Sequence, residues 1–197
     1  MNKSQQKLHN ALLDAFCHDG LSRHVFEQVS VGQGHEAAYV WTIYDNIEDF
    51  CVKALALLND QLKESCDTSM LDSMKIRHKI HYLVKARLDI ANQHKEAFKS
   101  IYRYMMCPSH ASVTASIAFK TADLIWRLAG DTSNDYNYYT KRGLLVGIMA
   151  STTLYWMSDT SDNHADSWDF LTRRIDNVLA LGNVKRSMSD FFARKVA

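Results

Sequence analysis

Apolar residues return every three or four positions along most of the chain, the spacing of one buried face per helix. Leu8, Ala11, Leu12, Ala15 and Phe16 predict a first amphipathic helix that closes near Gly20. A short helix over about 22–29 follows, then a Gly32-Gln33-Gly34 turn and a helix through Ala37, Ala38, Val40 and Trp41. Asn46 is placed to cap a helix striped with Ile47, Phe50, Cys51, Ala54, Leu55, Leu58 and Leu62. Glu48 and Asp49 stand in its first turn, where a carboxylate meets the positive end of the helix dipole. After a polar linker at 63–68, Leu71, Met74, Ile80, Leu83, Val84 and Ile90 predict one long helix from about 70 to 91. Its many cations, Lys75 to Arg87, read as a solvated face. A further helix carries Ala97, Phe98, Ile101, Tyr102 and Met105 and ends at Pro108.

Residues 121–182 hold three helical segments separated by two acid-rich turns. Val113, Ile117, Leu124 and Leu128 predict a buried stripe on the first, which closes at Gly130. The turn at 131–135 is rich in side chains that bond nearby backbone N–H groups, so Asp131, Ser133 and Asp135 are expected to cap the next helix. In that helix Leu144, Leu145, Ile148, Met149, Thr152, Tyr155 and Trp156 fall on one side, and Gly143, Gly147 and Ser151 sit four apart on another. Each glycine inside a helix costs about 1 kcal/mol relative to alanine, which close packing of a second helix on the small-residue row would offset. The third helix offers Trp168, Leu171, Ile175, Val178 and Leu179 and stops at Gly182. Two helices of this kind predict a dimer interface built on Gly143, Gly147, Ser151, Trp168, Leu171 and Ile175.

In the tail, Val184, Met188, Phe191, Phe192 and Val196 share one helical face beside Lys185, Arg186, Arg194 and Lys195. Two readings stand together: a helix lying in a membrane interface through Met188, Phe191, Phe192 and Lys195, or a segment folded back onto the domain or a dimer mate.

Composition narrows the function. The 197 residues suffice for one domain with a substantial core, and a formal net charge of +1 implies no general attraction to nucleic acid or acidic membranes. One proline and seven glycines fit an all-α domain. Cys17, Cys51, Cys66 and Cys107 are far apart and unpaired in sequence, as in a reduced chain with buried thiols. The start, MNKSQQKLHN, has neither a secretory apolar run nor an Arg-rich transit pattern, and no apolar run reaches the roughly 20 residues that span a bilayer.

Catalytic patterns are missing from the sequence. None of the five glutamates is followed three residues later by histidine, so the Glu-x-x-His pattern of di-iron bundles is absent. His35-Glu36 does not extend to H-E-x-x-H, because residue 39 is tyrosine. No G-x-S-x-G elbow, phosphate loop or dinucleotide fingerprint occurs, and the histidines are scattered. The expectation is a binding protein with no catalytic residues, no metal and no cofactor. Met105, Met106, Ile117, Phe119, Ile148, Met149 and Thr152 are the candidate lining of an apolar cavity, since methionine adapts to flexible guests. Tyr138 and Tyr139, two amphipathic rings beside a polar turn, suit a protein interface.

The run GDTSNDYNYYTKR at 130–142, an apolar helix, and then SDTSDNHADSWDFLTRRIDNVL at 158–179 resemble the signature of the coenzyme Q nine family. These are lipid-binding accessory proteins of ubiquinone biosynthesis. The resemblance is specific from Asp131 to Arg142 and in the Asp-Ser-Trp-x-Phe-Leu-x-x-Arg pattern from Asp166 to Arg174, and loose but collinear over about 72–106. It implies a TetR-regulator-like, all-α fold with a degenerate N-terminal helix-turn-helix and a C-terminal two-helix dimer interface. It further implies a homodimer that holds isoprenoid quinone intermediates, or another lipid, and presents them to the membrane-associated di-iron hydroxylase of the pathway. The partner patch implied is Asp123, Ile125, Trp126, Asp131, Asp135, Tyr138, Tyr139 and Arg142, with tyrosine at 138 where the family usually has tryptophan. Mitochondrial members carry a transit peptide, so a bacterial, cytoplasmic protein held at the inner membrane is expected.

The corresponding division is 1–62 for the helix-turn-helix-like helices, 63–182 for the lipid-binding and dimerisation core, and 183–197 for the tail. The order of the first four helices agrees with a TetR-type module, and a ligand-responsive transcription regulator is the alternative function; a dimeric scaffold without lipid is another. DNA binding needs cations at the phosphates, yet Arg23 is the single Lys or Arg between Gly20 and Asp45, so no nucleic-acid partner is expected.

Overall fold

The computed structural model describes residues 2–67, 69–134 and 137–180; helix bounds that run past these are backbone assignments. The helices in chain order are α1 (Lys3–Asp19), α2 (Arg23–Gly32), α3 (Ile47–Ser65), α4 (Thr68–Asp72), α5 (Ile76–Ala91), α6 (Lys95–Met105), α7 (Ala111–Leu128), α8 (Tyr136–Ser158) and α9 (Ala165–Lys195). Short 3₁₀ turns at Ala37–Thr42, Asn92–His94, Pro108–His110 and Asp162–His164 link several of them. No strand occurs among the described residues. The tail residues Met188, Phe191, Phe192 and Lys195, and Asp135 of the acid-rich turn, lie outside the described residues.

The chain forms two compact units, one of Met1–Cys66 with Ala86–Leu124, the other of Asp67–Lys85 with the residues from Ile125 onward. The division expected at residue 62 is thus a discontinuous one, because α5 and α7 each contribute one end to each unit.

In the first unit, α1 begins with a reciprocal cap in which the Gln5 N–H donates to Asn2 Oδ1 at 2.9 Å and the Asn2 N–H to Gln5 Oε1 at 3.0 Å. It buries Leu8, Leu12, Leu13 and Phe16 and ends at Gly20, whose φ of 73° is open to glycine at no steric cost. The core is aromatic. Phe26 lies 5.0 Å from Phe16 and 5.1 Å from Phe50, ring centre to ring centre, with the last pair edge to face. Asn46 caps α3 by accepting from the Asp49 N–H at 2.9 Å, as its sequence position predicts. The helix expected through Ala37–Trp41 is a single 3₁₀ stretch.

The second unit contains α4, residues 76–85 of α5, the end of α7, α8 and α9. The helix expected from 70 to 91 is broken: α4 stops at Asp72 and α5 starts at Ile76. Asp67 accepts from the Ser69 N–H at 2.9 Å and the Ser73 hydroxyl donates to the Met70 carbonyl at 3.0 Å, local bonds that compete with a continuous helix. The α7 stripe is also corrected. Val113, Ile117, Leu124 and Leu128 are only half-buried, and the buried positions near the end of the helix are Thr121, Ala122, Ile125 and Ala129. The helix closes with Gly130 at φ 91°, where the Gly130 N–H reaches the Arg127 carbonyl at 3.0 Å and the Asp131 N–H the Trp126 carbonyl at 2.9 Å.

Helices α8 and α9 are joined by a second capping turn. Asp159 is buried and accepts from the Ser161 N–H at 2.8 Å and the Ser167 N–H at 2.9 Å, while both serine hydroxyls donate to it as well. Beyond this turn α9 buries Ser167, Leu171 and Ile175, and α8 buries Leu145, Ile148, Thr152 and Trp156.

Candidate functional site

Four segments of the second unit converge on an apolar cavity of about 310 Å³ that is open on one side. One turn of α5 supplies Ile76, Arg77 and Ile80, and the end of α7 supplies Trp126. Helix α8 adds Lys141, Leu144, Leu145 and Ile148, and α9 adds Ile175, Val178 and Leu179. Each set recurs at three to four residues, so each helix turns one face to the same hollow. Ile80, Leu145, Ile148 and Ile175 are buried at its floor. Ile76, Leu144 and Leu179 are 43%, 43% and 42% exposed on its wall, and they leave apolar surface in contact with water.

The end of the cavity formed by α7 and α8 is held by a polar cluster. The Trp126 indole N–H donates to the Lys141 carbonyl at 3.0 Å. The Lys141 ammonium donates to Asp131 Oδ1 at 2.6 Å and to the Ser133 hydroxyl at 2.7 Å, and stands 5.5 Å from the Trp126 ring centre. Arg142 donates through Nη1 to Asp131 Oδ2 at 3.0 Å and to the Tyr138 carbonyl at 3.2 Å, with its guanidinium 3.6 Å from the Tyr138 ring centre. Burial alone would raise the Asp131 carboxyl, but the bonds from Lys141, Ser133 and Arg142 outweigh it and hold it down at about 2. Asp131 therefore joins the ends of two helices through an ion cluster.

The residues singled out from the sequence are dispersed. Of the cavity candidates, Ile148 lines this hollow. Met105 is buried in the core of the first unit, Met106 is exposed, and Ile117, Phe119 and Met149 are half-buried and not among its lining residues. Thr152 is fully buried one turn beyond Ile148, its hydroxyl without a hydrogen-bond partner. Of the patch candidates, Ile125 and Arg142 are buried, whereas Tyr139 is 67% exposed and Asp123 and Trp126 are half-buried. Of the dimer candidates, Leu171 and Ile175 turn inward, Trp168 is half-buried with its indole N–H on the Asn163 carbonyl at 2.8 Å, and Gly143 and Gly147 are exposed with no atom within 4 Å of an added Cβ. Ser151 donates to the carbonyls of Gly147 and Ile148. The residues missed were Ile76, Arg77, Ile80, Leu144, Leu145, Val178 and Leu179 as parts of one site. Their helical periodicity was readable, but what each face packs against was not.

Between Gly20 and Asp45 the single Lys or Arg is engaged. Arg23 Nε donates to Glu27 at 2.9 Å and its guanidinium lies 5.1 Å from the Trp41 ring centre, while the Trp41 indole N–H donates to the same carboxylate at 3.1 Å.

Residues 111–182 match the COQ9 family model. This region of the chain resembles the COQ9 proteins. It contains the two motifs that carried the resemblance, and α7 to α9 provide most of the cavity wall. Similar proteins include the probable ubiquinone biosynthesis protein coq9, mitochondrial, of Dictyostelium discoideum, 26% identical over 80% of this chain and 50% of that protein. The ubiquinone biosynthesis protein COQ9 of Rattus norvegicus is 29% identical over 71% of this chain and 46% of its own length. That of Homo sapiens is 30% identical over 53% and 33%. The chain thus spans about half the length, or less, of these relatives. They are mitochondrial proteins, and the bacterial, cytoplasmic placement expected above gains nothing from them. Among solved structures, a TetR transcriptional regulator from Nitrosomonas europaea aligns with a TM-score of 0.72 at 12% identity, over 89% of this chain and 97% of that one. A TetR-family regulator from Mesorhizobium loti aligns with a TM-score of 0.58 at 13% identity, over 92% and 98%. At such identities the likeness is one of fold: the chain is all-α and TetR-like. Among the described residues no helix is long and apolar enough to cross a membrane.

Proposed function

We propose that this chain is a non-catalytic, lipid-binding accessory protein of ubiquinone biosynthesis, which shelters an isoprenoid quinone intermediate and presents it to a membrane-associated di-iron hydroxylase. The observation that carries the reading is the apolar cavity walled largely by the COQ9-matching segment and rimmed by exposed Ile76, Leu144 and Leu179. A hollow with apolar walls and few polar groups suits a hydrocarbon chain better than a polar metabolite. The relatives are named ubiquinone biosynthesis proteins, which supports an isoprenoid quinone intermediate as the proposed ligand. The small-residue face at Gly143 and Gly147 is the proposed seat of a second copy, and the exposed Tyr139 ring the centre of a hydroxylase contact. Between Gly20 and Asp45 the single Lys or Arg, Arg23, is held by Glu27 and Trp41, so this stretch offers no uncommitted cation for a DNA phosphate, and we hold nucleic acid not to be a partner.

Native mass spectrometry of the purified chain, followed by organic extraction, tests this reading. A co-purifying isoprenoid quinone or another long-chain lipid in stoichiometric amount is the expected result. Repeated lipid-free preparations that also fail to take up a ubiquinone homologue from detergent would refute it.

A further inference from the structure

A second, smaller hollow of about 190 Å³ adjoins the apolar cavity and shares Arg77 and Ile175 with it. Its other walls are polar: His78 and His81 from α5, Thr172 and Asp176 from α9. The two hollows together form a site with a greasy compartment and a polar one, and Arg77 stands at the seam.

The state of the cations decides what the polar compartment takes. Lys141 lines the apolar cavity, but its ammonium is committed to Asp131, Ser133 and the Trp126 ring, so its hydrocarbon stem is what it adds to the wall. Arg77 makes one ion pair, from Nη2 to Asp176 Oδ1 at 2.7 Å, with the two side chains 42% and 46% exposed. An ion pair so open to water is weakly held, and a guanidinium carries five N–H donors in a planar fork that matches a carboxylate or phosphate. Arg77 therefore has donors to spare where the apolar and polar walls meet. Asp176 is the single carboxylate on the polar wall, and it is already opposed by Arg77.

We propose that this site takes a single-chain amphiphile whose head is an oxyanion, seated at Arg77 with its chain in the apolar cavity. The proposal rests on the lipid-binding part of the reading above and names a second lipid class for the site, since a quinone head is neutral. A volume of about 310 Å³, at the roughly 30 Å³ a water molecule claims in the liquid, holds about ten heavy atoms, so a longer chain leaves by the open side between Ile76, Leu144 and Leu179. The oxyanion is a carboxylate, as in a fatty acid, or a phosphate, as in a prenyl or alkyl phosphate; both use the same fork.

Titration calorimetry with laurate, dodecyl phosphate and dodecanol, each below its micellar concentration, tests the assignment and separates the two sources. The full chain is expected to bind laurate or dodecyl phosphate at least tenfold more tightly than dodecanol, and the better of the two names the source. Arg77→Gln removes that preference and leaves dodecanol affinity unchanged, while Asp176→Asn strengthens oxyanion binding several-fold by releasing the guanidinium. Equal affinity for all three ligands, or a preference that survives in Arg77→Gln, overturns the head assignment and leaves lipid binding standing. Failure to bind any of the three while a ubiquinone homologue is still taken up overturns the head assignment alone, and failure of that uptake as well overturns lipid binding itself.

Discussion

Arg142 donates to Asp131 at 3.0 Å with 2% and 6% of the two side chains exposed, a buried ion pair at the join between the end of α7 and the start of α8. Removing one member of such a pair leaves an uncompensated charge out of water, at a cost of about 3 kcal/mol or more. Arg142→Met is expected to lower stability by that order in urea unfolding followed by circular dichroism. Asp131→Asn is expected to do the same, and the double variant to recover part of the loss. Losses that simply add would show that the two residues act separately. Because the Asp131 carboxyl is held down from 3.8 to about 2, its contribution is complete above pH 3.8 and disappears as the pH falls toward 2.

The Asp159 carboxylate caps α9 by accepting from the Ser161 and Ser167 N–H groups. Its pKa lies far below the usual carboxylate range: burial would raise it, but the hydroxyls and N–H groups of Ser161 and Ser167 outweigh that. Asp159→Ala is expected to cost about 2 kcal/mol, the upper end for a lost cap, because both amides lose their acceptor at a buried site. Differential scanning calorimetry measures the change, and an unaltered Tm would deny the cap any weight.

Ile148 is 7% exposed and faces the apolar cavity. Ile148→Trp places a larger ring in that space and is expected to reduce lipid uptake at least tenfold. The cavity can absorb most of the added volume, so a loss of stability under about 2 kcal/mol is expected. Unreduced uptake by a folded variant would move the ligand elsewhere in the chain.

His9 sits in the first unit with Nδ1 2.9 Å from the Tyr44 hydroxyl and its ring 5.0 Å from that of Phe50. Burial, aided by the charge of His94, pulls its pKa from 6.5 down to about 4. The folded state therefore binds the proton less readily than the unfolded chain. Stability from this group is complete above pH 6.5 and declines as the pH falls toward 4, by about 3 kcal/mol in all. His9→Phe is expected to flatten the stability profile between pH 6.5 and 5; an unchanged slope would assign the decline to other groups.

Gly147 is exposed and an added Cβ would meet nothing within 4 Å, so within a single chain the position accepts any side chain that a helix tolerates. Gly147→Glu should leave helicity intact and, under the proposed homodimer, convert it to monomer in light scattering after size exclusion. A dimer that persists places its interface on another face.

Short-range features were legible from the residues alone. Asn46 as a cap, Gly20 and Gly130 as helix ends, and the all-helical class depend on groups within a few positions of one another, so local side-chain and backbone chemistry decides them. The break between Asp72 and Ile76 was missed, though Asp67, Ser69 and Ser73 contain the signal: short polar side chains that bond their own backbone. The small-residue row was readable as a row, and Gly143 and Gly147 are exposed in one chain, as a face kept for a second copy requires.

Periodicity and local chemistry were enough to establish that this chain is a run of amphipathic helices, where most of them begin and end, and that two of its motifs resemble one family. Packing alone decided that residues near 76, 126, 145 and 178 share a hollow and that Arg142 is buried on Asp131. The reason is physical: a helical repeat specifies that a face will leave water, but apolar burial is non-directional and carries no address for its partner. Which faces meet, and whether they close tightly or leave space for a guest, is settled when all the helices pack at once.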